Sequence, residues 1–465
     1  MRKVRIGFIP SHRDPFGRQW AVKMRKACVA ALRKVPGLDL VVPGTDLTEQ
    51  GLVGNIEEGR KTLDLFRQQG VAGVIVGGMT FGHETSAIGV VVAGLPRGTP
   101  VLHFATKGAP IGKDGLRASD SWCGQFMITS AMKRRGIKYE HIPTCFADEP
   151  VFAERAARFA RACAANQAFH GARFGQIGAR PEEFESVWWD EASMQKRFNQ
   201  TVVPVDLDDT LTRVEAVPLG AKTKRVAKQI SEGLSACDAP PESVTTMARY
   251  EIALEELARE KDLVAMGVNC WPRVQPRLGI SVCQSLGRLT DKGIMCACEV
   301  DIYGAASMWA AYTAALDQVA PHFIDWTELH PTRKNVWLAW HCGNCPSSLC
   351  EQGCKVALRD HSILQYKPSY GTREFRMKPG PVTCMRLVEY DGEFTMFIGR
   401  GEVVPIEPVT RGSYGWVRVA DVMDWEQKMV DHGIIHHGVL IHDPDVAAAL
   451  ESFCFFNDIA VVKGA

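Results

Sequence analysis

The sequence predicts an α/β fold: two doubly wound α/β domains followed by a smaller β-rich, barrel-like C-terminal domain. Three observations predict it. Residues 4–105 alternate strand and helix signals, a second alternation starts at Phe174 and runs to His341, and beyond about residue 355 the pattern changes to short strands split by Gly-containing turns. At 465 residues the chain also exceeds the roughly 250–300 residues at which a single core stops growing.

The first domain, residues 1–165, is read as a flavodoxin-like unit. Its strands fall at 4–9, 38–42, 71–76 and 101–104, with helices at 18–33 and 56–69. Apolar runs interleaved with helical periodicity mean parallel strands joined by crossovers. The Gly-rich turn 76–84 follows the third strand but lacks the spacing of a dinucleotide or phosphate loop. An Ala- and Arg-rich helix covers 151–175.

The central α/β domain, residues 166–350, holds helices at 222–234 and 242–260 and then the stretch Ile294-Met-Cys-Ala-Cys-Glu299-Val-Asp301-Ile-Tyr-Gly304. Here an apolar strand delivers a carboxylate and a helix opens at once. That helix, with Ala305, Met308, Trp309, Tyr312, Ala315 and Leu316, is apolar almost all round, as a helix buried on most faces must be. The C-terminal β-rich domain, residues 351–465, contributes His437.

Composition excludes several classes of partner. With 54 basic and 53 acidic residues the formal charge is +1, so nothing marks a nucleic acid or an anionic membrane as a partner. No apolar run approaches the roughly 20 residues of a membrane helix, and the N-terminus lacks a cleavable leader pattern. The fifteen cysteines, scattered through apolar strands, read as reduced core thiols. A cytoplasmic location follows.

The chemistry concentrates at strand ends, where open sheets gather their functional groups. Glu299, Asp325 and His341 each close an apolar run, and with a later His437 they can converge on one divalent cation. Two carboxylates with one or two imidazoles suit Mn²⁺ or a related ion. Taken singly, Glu299 and Asp325 can equally cap helices, His341 can be a satisfied core residue, and the His436-His437 pair can be a solvated turn. On a strand, only one of those two histidines would face the site.

Two further motifs stand apart. Arg13, after the first strand, and Gln125, in an amphipathic segment, are candidate partners for the hydroxyls of a ligand. Cys342, Cys345, Cys350 and Cys354 offer one Cys-x-x-Cys pair without a second, a weak sign of a redox or iron–sulfur centre.

Three pieces resemble the L-fucose and L-arabinose isomerase superfamily: Cys298-Glu299-Val-Asp301-Ile-Tyr-Gly304-Ala305, Trp340-His341-Cys342-Gly343-Asn344-Cys345-Pro346-Ser347, and His436-His437-Gly438-Val-Leu. The resemblance implies a metal-dependent aldose–ketose isomerase, usually with Mn²⁺, working through a metal-bound enediol on a monosaccharide or sugar derivative. It assigns Glu299 and Asp325 as ligands and acid/base pair, His437 as a ligand, and His341 as a ligand by likeness to the arabinose branch. It also implies a homotrimer or homohexamer in which Arg13, Phe16, Phe81 and Gln125 contact substrate across an interface. The N-terminal ligand loop matches neither branch closely, and Arg13, Arg273 and Arg333 would suit an acidic sugar. The competing readings are a non-catalytic sugar-binding or sensor protein on the same scaffold and a cysteine-cluster redox protein.

Overall fold

The computed structural model describes residues 1–363 and 368–465. The chain forms two compact units, one of residues 1–167 with 452–458 and the other of residues 168–451 with 459–465. The first unit is a five-stranded parallel sheet in the order β2-β1-β3-β4-β5. Its strands are β1 (Val4–Ser11), β2 (Leu38–Val41), β3 (Gly73–Gly78), β4 (Val101–Ala105) and β5 (Glu140–His141). All six residues of β3 and all five of β4 are buried, as expected of central parallel strands covered on both faces. Helix Ile56–Gln69 packs here and is capped by Asn55, whose side chain accepts from the Glu58 amide at 3.0 Å.

The second unit contains two sheets. Strands β6 (Arg173–Ile177), β7 (Thr201–Val205), β9 (Ala265–Val268) and β10 (Met295–Cys298) form a parallel sheet in the order β10-β9-β6-β7, while β8 (Ala236–Cys237) joins the other sheet. The winding reverses between β6 and β9. Such a switch point opens a crevice beyond the strand carboxyl ends, the usual ligand position in open α/β sheets. Trp271 follows β9 there, and Glu299 follows β10.

The remaining strands are β11 (His322–Leu329), β12 (Val336–His341), β13 (Ala357–Asp360), β14 (Tyr370–Arg376), β15 (Gly380–Tyr390), β16 (Glu393–Val404), β17 (Ser413–Arg418), β18 (His437–Ile441) and β19 (Ala460–Lys463). They give a ten-stranded sheet in the order β19-β16-β15-β18-β11-β12-β17-β14-β13-β8. An additional β16–β17 pairing closes β16-β15-β18-β11-β12-β17 into a barrel, which removes both edges of that run. The expected fold class, two parallel α/β sheets and a C-terminal barrel, is the one observed.

Two local expectations need correction. The runs 323–325 and 336–341, read from sequence as the end of the second strand–helix alternation, pair antiparallel with each other and belong to the barrel sheet. A short apolar run does not encode its pairing direction, and a barrel strand covered on both faces looks like a buried parallel one. The thiols are also not all reduced. Cys350 and Cys354 form a disulfide, their Cα atoms 6.6 Å apart and so within bridging reach, which a spacing of four does not reveal. Among the described residues no helix is long and apolar enough to cross a membrane.

Helix Val422–Asp431 closes one face of the barrel with Trp425, which is 2% exposed. The indole packs edge-on to Phe397 at 5.1 Å and lies 6.1 Å from the Trp337 ring. Trp425→Ala is expected to destabilise this unit by about 3–5 kcal/mol, measured as a lowered urea midpoint followed by the remaining tryptophan fluorescence. A loss under about 1 kcal/mol would show that the cluster is not a core.

Candidate metal centre

Four strands deliver the site. The β10 strand ends at Cys298, and the chain turns within Glu299 and Val300, both at positive φ (60° and 59°), before Asp301 caps helix Ile302–Ala314 through the Gly304 amide at 2.7 Å. Strands β11, β12 and β18 lie within one sheet, with Asp325 paired opposite Trp340 on one side and His437 on the other. The pairing of Asp325 with His437 is therefore set by barrel register. Register shifts between Trp326 and Glu328, an irregularity common beside active sites.

Donor atoms of Glu299, His341 and His437 all lie within 4.8 Å of one another, and those of Asp325, His436 and His437 form a second such group. His437 is common to both. Its Nε2 lies 2.7 Å from Glu299 Oε2 and 3.7 Å from Asp325 Oδ1. Neither contact has hydrogen-bond alignment, so this buried nitrogen is without a hydrogen-bond partner, as is His341 Nε2. A buried nitrogen left unpaired among carboxylate oxygens costs stability unless something else pairs it. The mixed oxygen and nitrogen donor set fits a divalent ion.

The two imidazoles differ in what they present. His437 Nδ1 bonds to Asp301 Oδ2 at 2.9 Å, so this nitrogen carries a proton and the ring turns Nε2 toward Glu299, the atom that would ligate a cation once its own proton is displaced. His341 Nδ1 instead accepts the Cys342 amide at 2.9 Å, which places the proton of the neutral ring on Nε2. His341 therefore faces the site as a donor and would have to surrender its backbone bond to ligate through Nε2.

Electrostatics separate the two carboxyl groups. Burial works to raise the Glu299 pKa, but the adjacent His437, with the charge of His341 and the Trp271 indole, holds it down at about 2. Burial pushes Asp325 up instead, opposed by His341 and His437 and supported by the Glu299 charge. Burial would depress His437, yet its bond to Asp301 and the adjacent carboxylates of Glu299 and Asp301 raise it to about 10.

The site is walled by aromatic rings. Trp271 Nε1 donates to Glu299 Oε1 at 3.1 Å, and Phe184 stands edge-on to Trp271 and His437, at 5.7 and 6.3 Å. Sequence reading missed Trp271, Phe184, Asp301 and Arg386. Asp301 alone had a visible signal, being the residue before a helix with Gly three positions on. His436 also differs from expectation: it precedes β18, so strand alternation does not apply, and its ring lies 3.9 Å from that of His437.

Arg13, Phe16, Phe81 and Gln125 belong to the first unit. The Phe16 and Phe81 rings stack at 5.2 Å, with the Arg13 guanidinium 5.4 Å from the Phe81 centroid. Gln125 is buried, and its Oε1 accepts from the Thr144 hydroxyl at 3.4 Å. Arg273 lines a cavity of about 780 Å³ with Trp271, while Arg333 lies in the turn between β11 and β12. The cysteine-cluster alternative loses support, because Cys350 and Cys354 are bonded to each other and no group of potential metal donors among the described residues includes a cysteine.

Comparison with known proteins identifies the family. Residues 7–170 match the fucose/sulfoquinovose isomerase N-terminal domain and residues 339–463 the L-fucose isomerase C-terminal domain, together more than half of the chain. A sulfoquinovose isomerase of Alkalicoccus urumqiensis is 26% identical over 322 residues, 68% of this chain and 70% of that protein. Those of Priestia aryabhattai (24%) and Clostridium sp. strain MSTE9 (23%) are matched over 63% of this chain and 65% of their own length. The domain matches and the relatives define an aldose–ketose isomerase. More narrowly, the chain belongs to the fucose isomerase-like superfamily.

The shifts fix a pH signature. His437, raised from 6.5 to about 10, contributes stability that is complete below pH 6.5 and lost as pH rises through about 10. Glu299, lowered from 4.5 to about 2, contributes stability that is complete above pH 4.5 and lost as pH falls through about 2. Without added metal, the thermal midpoint is expected to drop between pH 7 and 10 in the wild type and less steeply in His437→Gln. Parallel curves would contradict the assignment.

Proposed function

We propose that the chain is a divalent-cation-dependent isomerase, with Mn²⁺ the preferred ion, that moves a proton between neighbouring carbons of a sulfonated monosaccharide. The observation that carries this reading is the buried Nε2 of His437, without a hydrogen-bond partner and held among the Glu299 and Asp325 carboxylates. Glu299, Asp325 and His437 hold the ion. When bound, such an ion polarises the sugar carbonyl and hydroxyl together.

The chain's own residues do the rest. Asp325, with its raised pKa, takes and returns the proton, while Glu299 stays anionic and accepts from Trp271. His341 presents its Nε2 proton to a sugar oxygen and fixes the orientation of the substrate. Phe184 and Trp271 give the apolar ring faces on which sugars stack and limit the access of water. Arg273, exposed and with no ion pair among the described residues, supplies a cation beside Trp271 for the sulfonate that the relatives' names imply. Arg13, Phe16, Phe81 and Gln125 complete the substrate site within a homotrimer or homohexamer. The many free thiols suit a reducing compartment, the cytoplasm.

Dialysis against a chelator is expected to abolish aldose–ketose exchange on a panel that includes sulfonated hexoses, and Mn²⁺ to restore it. Turnover that survives complete demetallation would sink the metal requirement, and sugar binding without turnover would favour a sensor. Glu299→Gln should lower kcat at least about 100-fold in a folded protein.

The histidine roles separate in calorimetry. His437→Gln should weaken Mn²⁺ binding by at least about tenfold, whereas His341→Gln should leave it within a few-fold and lower kcat. Equal loss of metal in both variants would make His341 a ligand.

A further inference from the structure

Asp301 and Arg386 are among the most deeply buried charged residues of the chain, at 0% and 1% exposure. Arg386, on β15, reaches Asp301 with two parallel bonds, Nη1 to Oδ2 at 2.5 Å and Nη2 to Oδ1 at 2.9 Å. The same carboxylate accepts the Gly304 amide through Oδ1 at 2.7 Å and pairs with His437 Nδ1 through Oδ2 at 2.9 Å. One side chain thus ties together the helix that follows Glu299, a barrel strand and a second barrel strand through its histidine.

The backbone beside it is strained. Glu299 and Val300 both hold positive φ, a region that a β-branched residue rarely enters, and such conformations persist only when the surroundings over-determine them. The Asp301 amide donates to Cys298 O at 3.1 Å across the turn, and Asp301 is the first residue beyond it with side-chain anchors. A Cβ at Gly304 would lie 2.8 Å from the Asp301 carboxylate, so glycine is what lets that carboxylate seat. A Cβ at Gly267 would meet Val300 backbone at 2.8 Å, so glycine on β9 also makes room for the turn.

We propose that Asp301 and Arg386 form a positioning pair that sets both Glu299 and His437: Asp301 orients the His437 ring by holding Nδ1–H and pins the strained turn that presents Glu299, while Arg386 fixes Asp301 from the barrel. The pair touches no substrate and acts only through those two residues. It deepens the metal-centre reading given above and rests on it for its effect on the ion. Replacing Asp301 by Asn puts an amide donor beside His437 Nδ1, which favours the ring tautomer with Nδ1 accepting and Nε2 protonated, the wrong one for ligation.

The test compares wild type, Asp301→Asn and Arg386→Lys, with the double variant Asp301→Asn/Arg386→Gln included because Asp301→Asn alone strands a buried guanidinium. Mn²⁺ affinity, read from free Mn²⁺ by electron paramagnetic resonance, should fall about 10–100-fold in both variants that carry Asp301→Asn. The fall should be smaller in Arg386→Lys, which keeps the charge but loses the fork. Excess Mn²⁺ should restore part of kcat without changing KM for the sugar, a split that a general loss of folding does not give.

A second readout needs no metal and no activity. In ¹⁵N-histidine-labelled protein, His437 Nδ1–H should appear as a slowly exchanging, downfield proton in the wild type and vanish in Asp301→Asn and in the double variant. Its absence from the wild-type spectrum overturns the proposal, even if no variant folds. So does a folded Asp301→Asn or double variant with wild-type Mn²⁺ affinity. If the wild type binds no divalent cation, the function reading fails, and the histidine signal still decides whether Asp301 orients the ring.

Discussion

A buried carboxylate, Asp301, is the constraint on which this molecule's chemistry turns. Removing a charge from water is costly, and the cost is offset only when the geometry is good and the remaining lone pairs are filled. Here the forked bond from Arg386, the helix amide of Gly304 and the imidazole of His437 fill them. Because those partners come from a helix start and two barrel strands, satisfying one charge fixes the relative placement of the elements that carry the donor set.

The two imidazoles of the site are held in different ways. His437 is held by a carboxylate, and His341 by a backbone amide. The two rings differ in what their Nδ1 atoms meet. The carboxyls divide likewise, Glu299 toward the anion and Asp325 toward the acid. Deeper contact with His437 and the Trp271 donor stabilises the first, whereas burial beside another negative charge discourages ionisation of the second.

Barrel closure brings the parts together. Asp325, His341 and His437 occupy neighbouring strands of one sheet, and Glu299 arrives from the carboxyl edge of the parallel sheet in the same unit. The disulfide between Cys350 and Cys354 lies in the connection between β12 and β13. It removes two of the sulfurs that the spacing suggested for a cluster.

Much was legible in the residues alone. The alternation of apolar strands and amphipathic helices determined the α/β class, since burying both faces of a parallel strand demands continuous apolar runs. A carboxylate or histidine at the end of an apolar run marked Glu299, Asp325 and His341, because a strand end is where a polar group can stand beside a buried core without entering it, whereas His437 was marked by the family resemblance. Only the tertiary structure decided that strands 322–329 and 336–341 join the barrel, that Arg386 reaches back 85 positions to Asp301, and that Trp271 and Phe184 wall the site. Pairing direction, register and long-range partners arise from which surfaces meet once the chain has folded, and local sequence does not carry that information.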